Sequence, residues 1–302
     1  MKDLVRLFYL DRLTGVLAGA AAITQNSRRT MDFQHPPIPV EMSANVAASW
    51  GFLAFTAVSF VATLVWAVRL GLRSQDWLPL TLMGGGALCG FLEPFGDILG
   101  ATFYPLNTPL LVFELFGRHI PLYVFVGESM FFATAVYYAY RFLVTGVGVA
   151  RLLIIIVIFS LFDAGMEMTA IHFDVMTYYG DNPTLVLGLP LYVLIQNGAL
   201  AVVGGWAVLI AIPHLTGKQR LLLALLVPIA FGLQAFIATW PMYLALNTSA
   251  SRSALLLWGI VVTITNAALP ILCIYSRTAR QYRSSSSGSP AVPTGRAHSL
   301  SR

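Results

Sequence analysis

Hydrophobic residues fall in long, uninterrupted stretches between about residues 48 and 276. Each stretch has roughly 20 residues or more, the length that an α-helix needs to cross the hydrocarbon core of a bilayer. A transmembrane β-strand would alternate apolar and polar residues, whereas residues 151–160 read RLLIIIVIFS without alternation. The pattern predicts seven transmembrane helices, at residues 48–70, 78–100, 120–143, 152–172, 187–212, 219–243 and 254–276.

The composition indicates the same class of protein. Hydrophobic residues make up 57% of the chain, charged residues make up 10%, and the mean hydropathy is +0.75, outside the usual range of soluble domains. We therefore expect an all-α, polytopic membrane protein, a bundle of seven transmembrane helices. The predicted domains are an N-terminal interfacial segment at 1–46, the seven-helix membrane domain at 47–277 and a disordered cytoplasmic tail at 278–302.

Basic residues between the predicted helices indicate the orientation, because cytoplasmic loops carry an excess of lysine and arginine. Most of them follow the first, third, fifth and seventh helices: Arg69, Arg73, Arg141, Arg151, Lys218, Arg220, Arg277, Arg280 and Arg283. The opposite loops hold only Arg118 and Arg252, which predicts a cytoplasmic C-terminus, although five basic residues before residue 30 favour the reverse. We expect a multi-pass plasma-membrane protein surrounded by membrane lipids. No basic stripe with interleaved aromatic residues indicates a nucleic-acid partner.

Five acidic residues lie inside the hydrophobic stretches, and no lysine or arginine lies in the interior of those stretches. They are Glu93, Asp97, Glu128, Asp163 and Glu167. An acid at the centre of a membrane helix costs about 2.5–3.5 kcal/mol, so these acids must avoid lipid. Two pairs, Glu93 with Asp97 and Asp163 with Glu167, have the spacing of one helix face, and all five fall at a similar depth. The sequence predicts one shared cavity with these five as its candidate catalytic residues.

Other polar and aromatic residues at a compatible depth are candidate substrate-binding residues. They are Phe91, Tyr104, Phe162, His172, Asn197, Gln234, Trp240 and Asn266. Each type also has a structural explanation, because aromatic residues collect at membrane interfaces and a lone Asn or Gln often links two helices.

Several acids beside many aromatic residues suit the protonation of an alkene or an epoxide. A carboxylic acid kept neutral by an apolar site delivers the proton, and aromatic faces stabilise the carbocation that forms. Binding a diphosphate through magnesium would normally also need Arg or Lys clamps, which the interiors of the predicted helices lack. The seventh predicted helix has no lysine for a retinal Schiff base, and the HExxH and GxSxG motifs of hydrolases are absent.

Two of the acidic helices carry short acidic motifs, FLEPFGD at residues 91–97 and FDAGMEM at residues 162–168. With these motifs, its size and its predicted helix count, the chain resembles the small seven-helix integral-membrane terpene cyclases of bacterial indole-sesquiterpenoid and fungal meroterpenoid pathways. The resemblance covers the helical core from about residue 48 to residue 276. It implies cyclisation of a lipophilic prenylated substrate by protonation of its terminal alkene or epoxide, without a metal; no other cofactor is expected.

Other functions stay open at this point. A proton-coupled transporter or a membrane lipid-binding protein would use intramembrane acids to relay protons or to bind a cation, although seven helices divide poorly into two inverted halves. An enzyme with the same site could instead let water capture the carbocation, as in the hydration of carotenoid ends. The residues do not distinguish which of the five acids donates the proton.

Overall fold

The computed structural model of the protein describes residues 33–287 and consists mostly of α-helices, which confirms the prediction of a nearly all-α fold. The α-helices are α1 (Val46–Ser74), α2 (Leu78–Cys89), α3 (Glu93–Gly100), α4 (Leu122–Val144), α5 (Val149–His172), α6 (Leu191–Ala211), α7 (Leu226–Phe231), α8 (Trp240–Leu246), α9 (Arg252–Ile274) and α10 (Arg277–Ser287). Short strands also form, which the sequence did not predict: β1 (Thr102–Phe103), β2 (Leu111–Leu115), β3 (Arg118–Pro121), β4 (Thr177–Tyr178), β5 (Leu185–Val186) and β6 (Leu189–Pro190).

Six helices in the described part of the chain are long and apolar enough to cross a membrane. They are Val46–Ser74, Leu122–Val144, Val149–His172, Leu191–His214, Gly217–Ile237 and Arg252–Ile274. The remaining predicted helix, at 78–100, is broken, because α2 and α3 are bent by 49°. Pro94 lies in the first turn of α3, where the N–H that proline lacks is not needed for a helical hydrogen bond. The break therefore separates two helices that are each locally regular.

The predicted helix at 219–243 is also irregular. It begins as a 3₁₀ helix at Gly217–Leu225, continues through α7 into a π-helix at Gly232–Ile237, and ends with α8. π-helical turns are rare and occur mostly as single turns inside α-helices. The turn holds two polar side chains inside the bundle, Gln234 and, just after it, Thr239.

Helices α4 and α6 form the centre of the bundle. Helix α4 packs against α1, α2 and α6, and α6 packs against α4, α5 and α9. Helices α1, α5 and α9 are peripheral and turn apolar side chains outwards, including Val58, Ile158, Leu161 and Ile264. An apolar outer surface of this kind is what a lipid-facing helix presents.

The strands lie at one end of the bundle, which we call the hairpin end. Antiparallel pairing joins β1 to β4, β2 to β3 and β5 to β6. Residues 33–45 run without helix to the same end, where the Gln34 amide donates to the Asn247 carbonyl at 2.8 Å. The interfacial helix expected near the N-terminus falls within residues 1–32, which lie outside the described residues.

The prediction of a disordered tail from residue 278 is wrong for its first part, up to residue 287. Residues 277–287 form α10, which packs on the end of the bundle opposite the hairpins, with Ala279 buried beside α4 and α9. Residues 288–302 lie outside the described part of the chain.

Glycines allow the inner helices to approach closely. A Cβ atom on Gly198 of α6 would overlap Ser160 Oγ and the Ile156 carbonyl oxygen and would lie 2.6 Å from Ser160 N, all on α5. On α2, a Cβ atom on Gly86 would lie 2.6 Å from the Glu128 carbonyl oxygen of α4. Because these obstacles are largely backbone atoms, the helices themselves would have to move apart to accept a side chain.

We expect Gly198→Ala to destabilise the protein by about 1–3 kcal/mol, the usual range for overpacking. Its matched control is Gly84→Ala on α2, where a Cβ atom meets nothing within 4 Å. Thermal unfolding of the full chain in detergent should show a lower midpoint for the first variant and an unchanged or slightly higher midpoint for the second. Equal midpoints would mean that α5 and α6 do not need this contact.

Candidate functional site

All five acidic residues of the hydrophobic stretches line one cavity of about 220 Å³. Glu93 and Asp97 come from α3, Glu128 from α4, and Asp163 and Glu167 from α5. The break between α2 and α3 matters here, because it comes directly before Glu93 and sets the direction in which α3 presents its two acids. The structure therefore brings together the whole set of candidate catalytic residues.

On α5, the two acids are held by hydrogen-bond donors. Nδ2 of Asn197 donates to Asp163 Oδ2 at 2.6 Å and to Glu167 Oε1 at 3.1 Å. The hydroxyl of Tyr178 donates to Glu167 Oε2 at 2.7 Å. Carboxylate oxygens that accept several such bonds are well suited to carry negative charge.

The carboxyl groups also meet one another. Glu93 lies within hydrogen-bonding reach of Glu128, and Asp163 lies within reach of Glu167. Two carboxyl groups can form a hydrogen bond only if one of them carries a proton. Within residues 33–287, Glu128 Oε2 is buried and has no hydrogen-bond partner outside the carboxyl pair.

Apolar and aromatic side chains form the rest of the wall. The aromatic ones are Phe52, Tyr104, Tyr123, Phe131, Phe132, Phe162, Tyr178, Tyr192, Phe231 and Tyr243. Aromatic faces attract a positive charge, and the acids do so as well. The cavity can therefore surround an apolar ligand and stabilise a cation within it.

Phe162 lies where the cavity meets the outer surface of α5. It lines the cavity, its side chain is 41% exposed, and it stacks on Phe131 with ring centroids 6.2 Å apart. Its neighbour Leu161 is 64% exposed on the same helix. One side of the cavity is thus closed towards the apolar outer face by an aromatic ring.

Three of the predicted substrate-binding residues line the cavity, namely Tyr104, Phe162 and Asn197. Two others, Gln234 and Asn266, do not, and the structure corrects the expectation that they would. Both are fully buried, and Gln234 Nε2 donates to Asn266 Oδ1 at 2.9 Å. Asn266 Nδ2 in turn donates to Thr239 Oγ1 at 3.0 Å. They link the π-helical segment to α9, the structural alternative for lone amides in membrane helices.

The structure corrects the expectation for Phe91, His172 and Trp240 as well, because these side chains do not line the cavity. Phe91 is exposed and packs beside Phe113, His172 packs on Phe173, and Trp240 is half exposed. Each of these residues lies at about the depth of the acids. Its side chain, however, lies on a side of the helix that does not face the cavity, or beyond the end of the helix. The position of a residue along the chain predicts its depth in the bundle. It does not predict the rotation of the helix, which decides whether the side chain faces the cavity.

Sequence reasoning missed two tyrosines of the wall, Tyr123 and Tyr192. Their signal was available, because each falls inside or at the edge of a predicted span at the depth of the acids. It also missed the importance of Arg118, which was assigned only to an outer loop. Arg118 is 2% exposed, and its guanidinium lies in the electrostatic surroundings of Asp97. A buried cation at the hairpin end therefore acts electrostatically on Asp97, although it does not line the cavity.

Arg118 belongs to a polar network that closes the hairpin end. Its Nη2 donates to His35 Nε2 at 2.8 Å and to the Tyr179 hydroxyl, which also contacts His35 Nε2. His35 Nδ1 donates to Asn247 Oδ1 at 2.7 Å, since the Asn247 amide nitrogen is used as a donor to the carbonyls of Leu99 and Tyr243. Four separate segments of the chain meet in this network.

The described residues, 33–287, contain no group of three or more His, Cys, Asp or Glu side chains arranged to hold a metal ion. Comparison of the chain with protein-family models, curated proteins and solved structures gave no match.

The network requires a neutral His35, whose Nε2 accepts hydrogen bonds. Burial lowers the pKa of His35 below its usual value of 6.5, and the neighbouring Arg118 charge acts in the same direction, against the Asn247 hydrogen bond. At pH values between the lowered pKa of the folded protein and the usual value of the unfolded chain, His35 binds protons more strongly in the unfolded chain. The free energy of unfolding should therefore decrease as the pH drops below about 6.5.

We expect the unfolding midpoint of the full chain to decrease between pH 7.5 and pH 5, and the decrease to be smaller in His35→Gln. The control is His214→Gln, which changes an exposed histidine at the opposite end of the bundle. A wild-type pH dependence in His35→Gln would show that protonation elsewhere is responsible.

Proposed function

We propose that this protein is an integral-membrane cyclase that protonates an alkene or epoxide of a lipophilic prenylated substrate and closes a ring through a carbocation. The observation that carries the proposal is the cavity itself, with five carboxyl groups inside aromatic walls. Acids supply and remove the proton, while aromatic faces stabilise the charge that exists between these two steps.

The two carboxyl pairs suit different roles. Asp163 and Glu167 accept hydrogen bonds from Asn197 and Tyr178, which favours one negative charge on this pair, and that charge stabilises the cation and takes the final proton. Glu128 lines the cavity beside Glu93, and within residues 33–287 its Oε2 has no partner outside this pair, which favours a proton held by the pair. We therefore assign proton donation to Glu128, with Glu93 as the residue that orients it.

The reaction is balanced for an alkene substrate. The π electrons of the terminal double bond form a new C–H bond with the proton of the Glu128 carboxyl group and leave a tertiary carbocation. The next double bond attacks that carbon, a C–C bond forms, and the charge moves along the chain. A neighbouring C–H bond then gives its proton to the carboxylate of Asp163 or Glu167, and its electrons form a new C=C bond. A proton passes back from that acid to the Glu128 carboxylate, so the overall change is an isomerisation.

The substrate's route also follows from the cavity. Phe162 separates the cavity from the apolar outer surface of α5, so a lipophilic molecule dissolved in the bilayer could reach the acids by displacing one ring. The other half of the bundle is tightly packed: a Cβ atom on Gly205 would lie 2.6 Å from Tyr140 N. This packing favours an enclosed cavity, as an enzyme of this kind would have. A transporter would instead need a polar path through the bundle.

The proposal includes seven spans, with α2 and α3 as one broken span and the hairpin end outside the cell. Non-helical backbone is tolerated at membrane depth where it lines a cavity, and the break stands directly before Glu93. The loop at the opposite end carries Lys218 and Arg220, as cytoplasmic loops do.

We expect Glu128→Gln to lower product formation from a prenylated aromatic in membranes by roughly 10²–10⁴-fold, the contribution of general acid catalysis. The control is Glu114→Gln, an acid on the exposed β2–β3 hairpin whose side chain is 52% accessible. Chromatography of the products tests both variants, and thermal unfolding checks that each is folded. Near-wild-type turnover in Glu128→Gln would remove this residue from the role of donor.

The orientation can be tested with cysteines, because both native ones, Cys89 and Cys273, are buried. Leu187→Cys introduces a thiol on the exposed β5–β6 hairpin, and Lys218→Cys introduces one in the opposite loop. A membrane-impermeant maleimide should label the first variant in intact cells and the second only after lysis. The reverse pattern would invert the proposed orientation.

A further inference from the structure

The cavity is small for a whole prenylated substrate. Pockets that surround an entire drug-sized ligand measure roughly 300–1,000 Å³. A cavity of about 150 Å³ holds one benzene ring, so about 25 Å³ serve each carbon atom. At the same packing, the 220 Å³ of this cavity hold about nine carbon atoms. Two isoprene units, with ten carbon atoms, therefore fill it, and three exceed it.

The inner wall of the cavity is packed against the rest of the bundle. Phe132 of α4 and Phe231 of α7 line this wall, are buried, and meet edge to face with ring centroids 6.0 Å apart. Behind α4, a Cβ atom on Gly86 of α2 would lie 2.6 Å from the Glu128 carbonyl oxygen. Close-packed interiors of this kind do not yield easily. A longer chain must therefore extend out of the cavity on another side.

The opposite side lies between α1 and α5. Phe52 and Thr56 of α1 and Phe162 of α5 line the cavity, yet these two helices do not pack on each other to any extent, and both pack on α4. At the hairpin end they are joined through a buried cluster that includes Leu53 of α1 and Ala170 of α5. Away from that cluster, the ring of Phe162 is what stands between the cavity and the outer surface.

The surface around this gap is apolar. Phe162 is 41% exposed, and its neighbours Ile158 and Leu161 on α5 and Phe55 on α1 are exposed as well. Helix surfaces of this kind face the acyl chains of a bilayer. Because lipid tails are as apolar as a prenyl chain, the part of a chain that leaves the cavity here stays in a favourable environment.

We propose that only the last two isoprene units of a longer prenyl chain enter the cavity, tail first between α1 and α5, while the rest of the chain and its head group stay in the bilayer. The inference deepens the proposed function, on which it rests for the prenyl character of the ligand. It names the substrate class as long-chain prenyl lipids whose head groups do not reach the acids.

This placement limits the product to one ring. Two isoprene units supply two double bonds, of which the terminal one takes the proton and the second attacks the cation. No further double bond lies among the acids and the aromatic walls. The identity of the head group should then have little effect on binding, because that group remains outside the protein.

The test uses four probes with one bulky head, the pyrenylmethyl ethers of prenol, geraniol, farnesol and geranylgeraniol. They compete with radiolabelled geranyl methyl ether for the full chain in lipid nanodiscs, and affinities are expressed per mole fraction of probe in the bilayer. We expect the affinity to increase about fivefold from one isoprene unit to two, as the second unit meets the aromatic walls. It should then stay constant within about twofold for three and four units, which remain in lipid.

Three results would overturn the proposal. A further increase with the third and fourth units would show that more of the chain enters the protein. Failure of all four probes to compete would show that the head group cannot stay outside. Absence of saturable binding of the reporter would remove the ligand class itself.

A change in cavity volume should move the limit. Phe231→Ala removes one buried ring from the wall, so the affinity should increase up to three units; Phe132→Ala removes the neighbouring ring and replaces it if the first variant does not fold. The matched control is Phe55→Ala, which removes a 45% exposed ring that does not line the cavity and should keep the limit at two units. The ratios between probes are compared, because they do not depend on the fraction of folded protein. A limit of two units in the folded enlarged variant would contradict the volume argument.

This outcome is separate from that of the proposed function. A protein that shows the two-unit limit but forms no cyclic product would retain the binding mode and lose the cyclase. One that forms cyclic products while its affinity increases through all four probes would do the reverse.

Discussion

The need to keep five carboxyl groups away from hydrocarbon constrains the rest of this structure. An acid exposed to lipid costs several times what a typical buried contact contributes, so the acids must face one another or a polar partner. Three helices, α3, α4 and α5, meet this need together, because each turns its acidic side towards one cavity. The apolar outer surfaces of α1, α5 and α9 are the other consequence of the same arrangement.

Enclosing the acids requires both irregular and very close packing. The 49° bend between α2 and α3 lets Glu93 and Asp97 enter the cavity beside Glu128. Near the cavity, Gly86 and Gly198 let the backbones of neighbouring helices approach closely. The helices that carry the acids are therefore held by close contacts beside the cavity.

Much of this could be predicted from residue patterns, and the reason is physical. Span length follows from bilayer thickness, and acids spaced by four residues share a helix face whatever the neighbouring helices do. Hence the positions of the spans and the meeting of Glu93 with Glu128 and of Asp163 with Glu167 were within reach of the sequence. The structure supplies the geometry of that meeting.

What could not be predicted depends on helix rotation and on contacts distant in sequence. Gln234 and Trp240 lie at the depth of the acids, yet one turns into a network between helices and the other turns outwards. The β-strands could not be predicted because four of the six have two residues and the other two have only five and four, too few for a clear periodic signal.

Arg118 shows how a contact distant in sequence changes the chemistry of the site. Considered as a loop residue, it indicates only orientation; as a 2% exposed side chain beside Asp97, it makes the cavity electrically asymmetric. The hairpin end has a buried cation near an acid, whereas the rest of the cavity wall has acids, aromatic rings and neutral side chains such as Gln196 and Asn197.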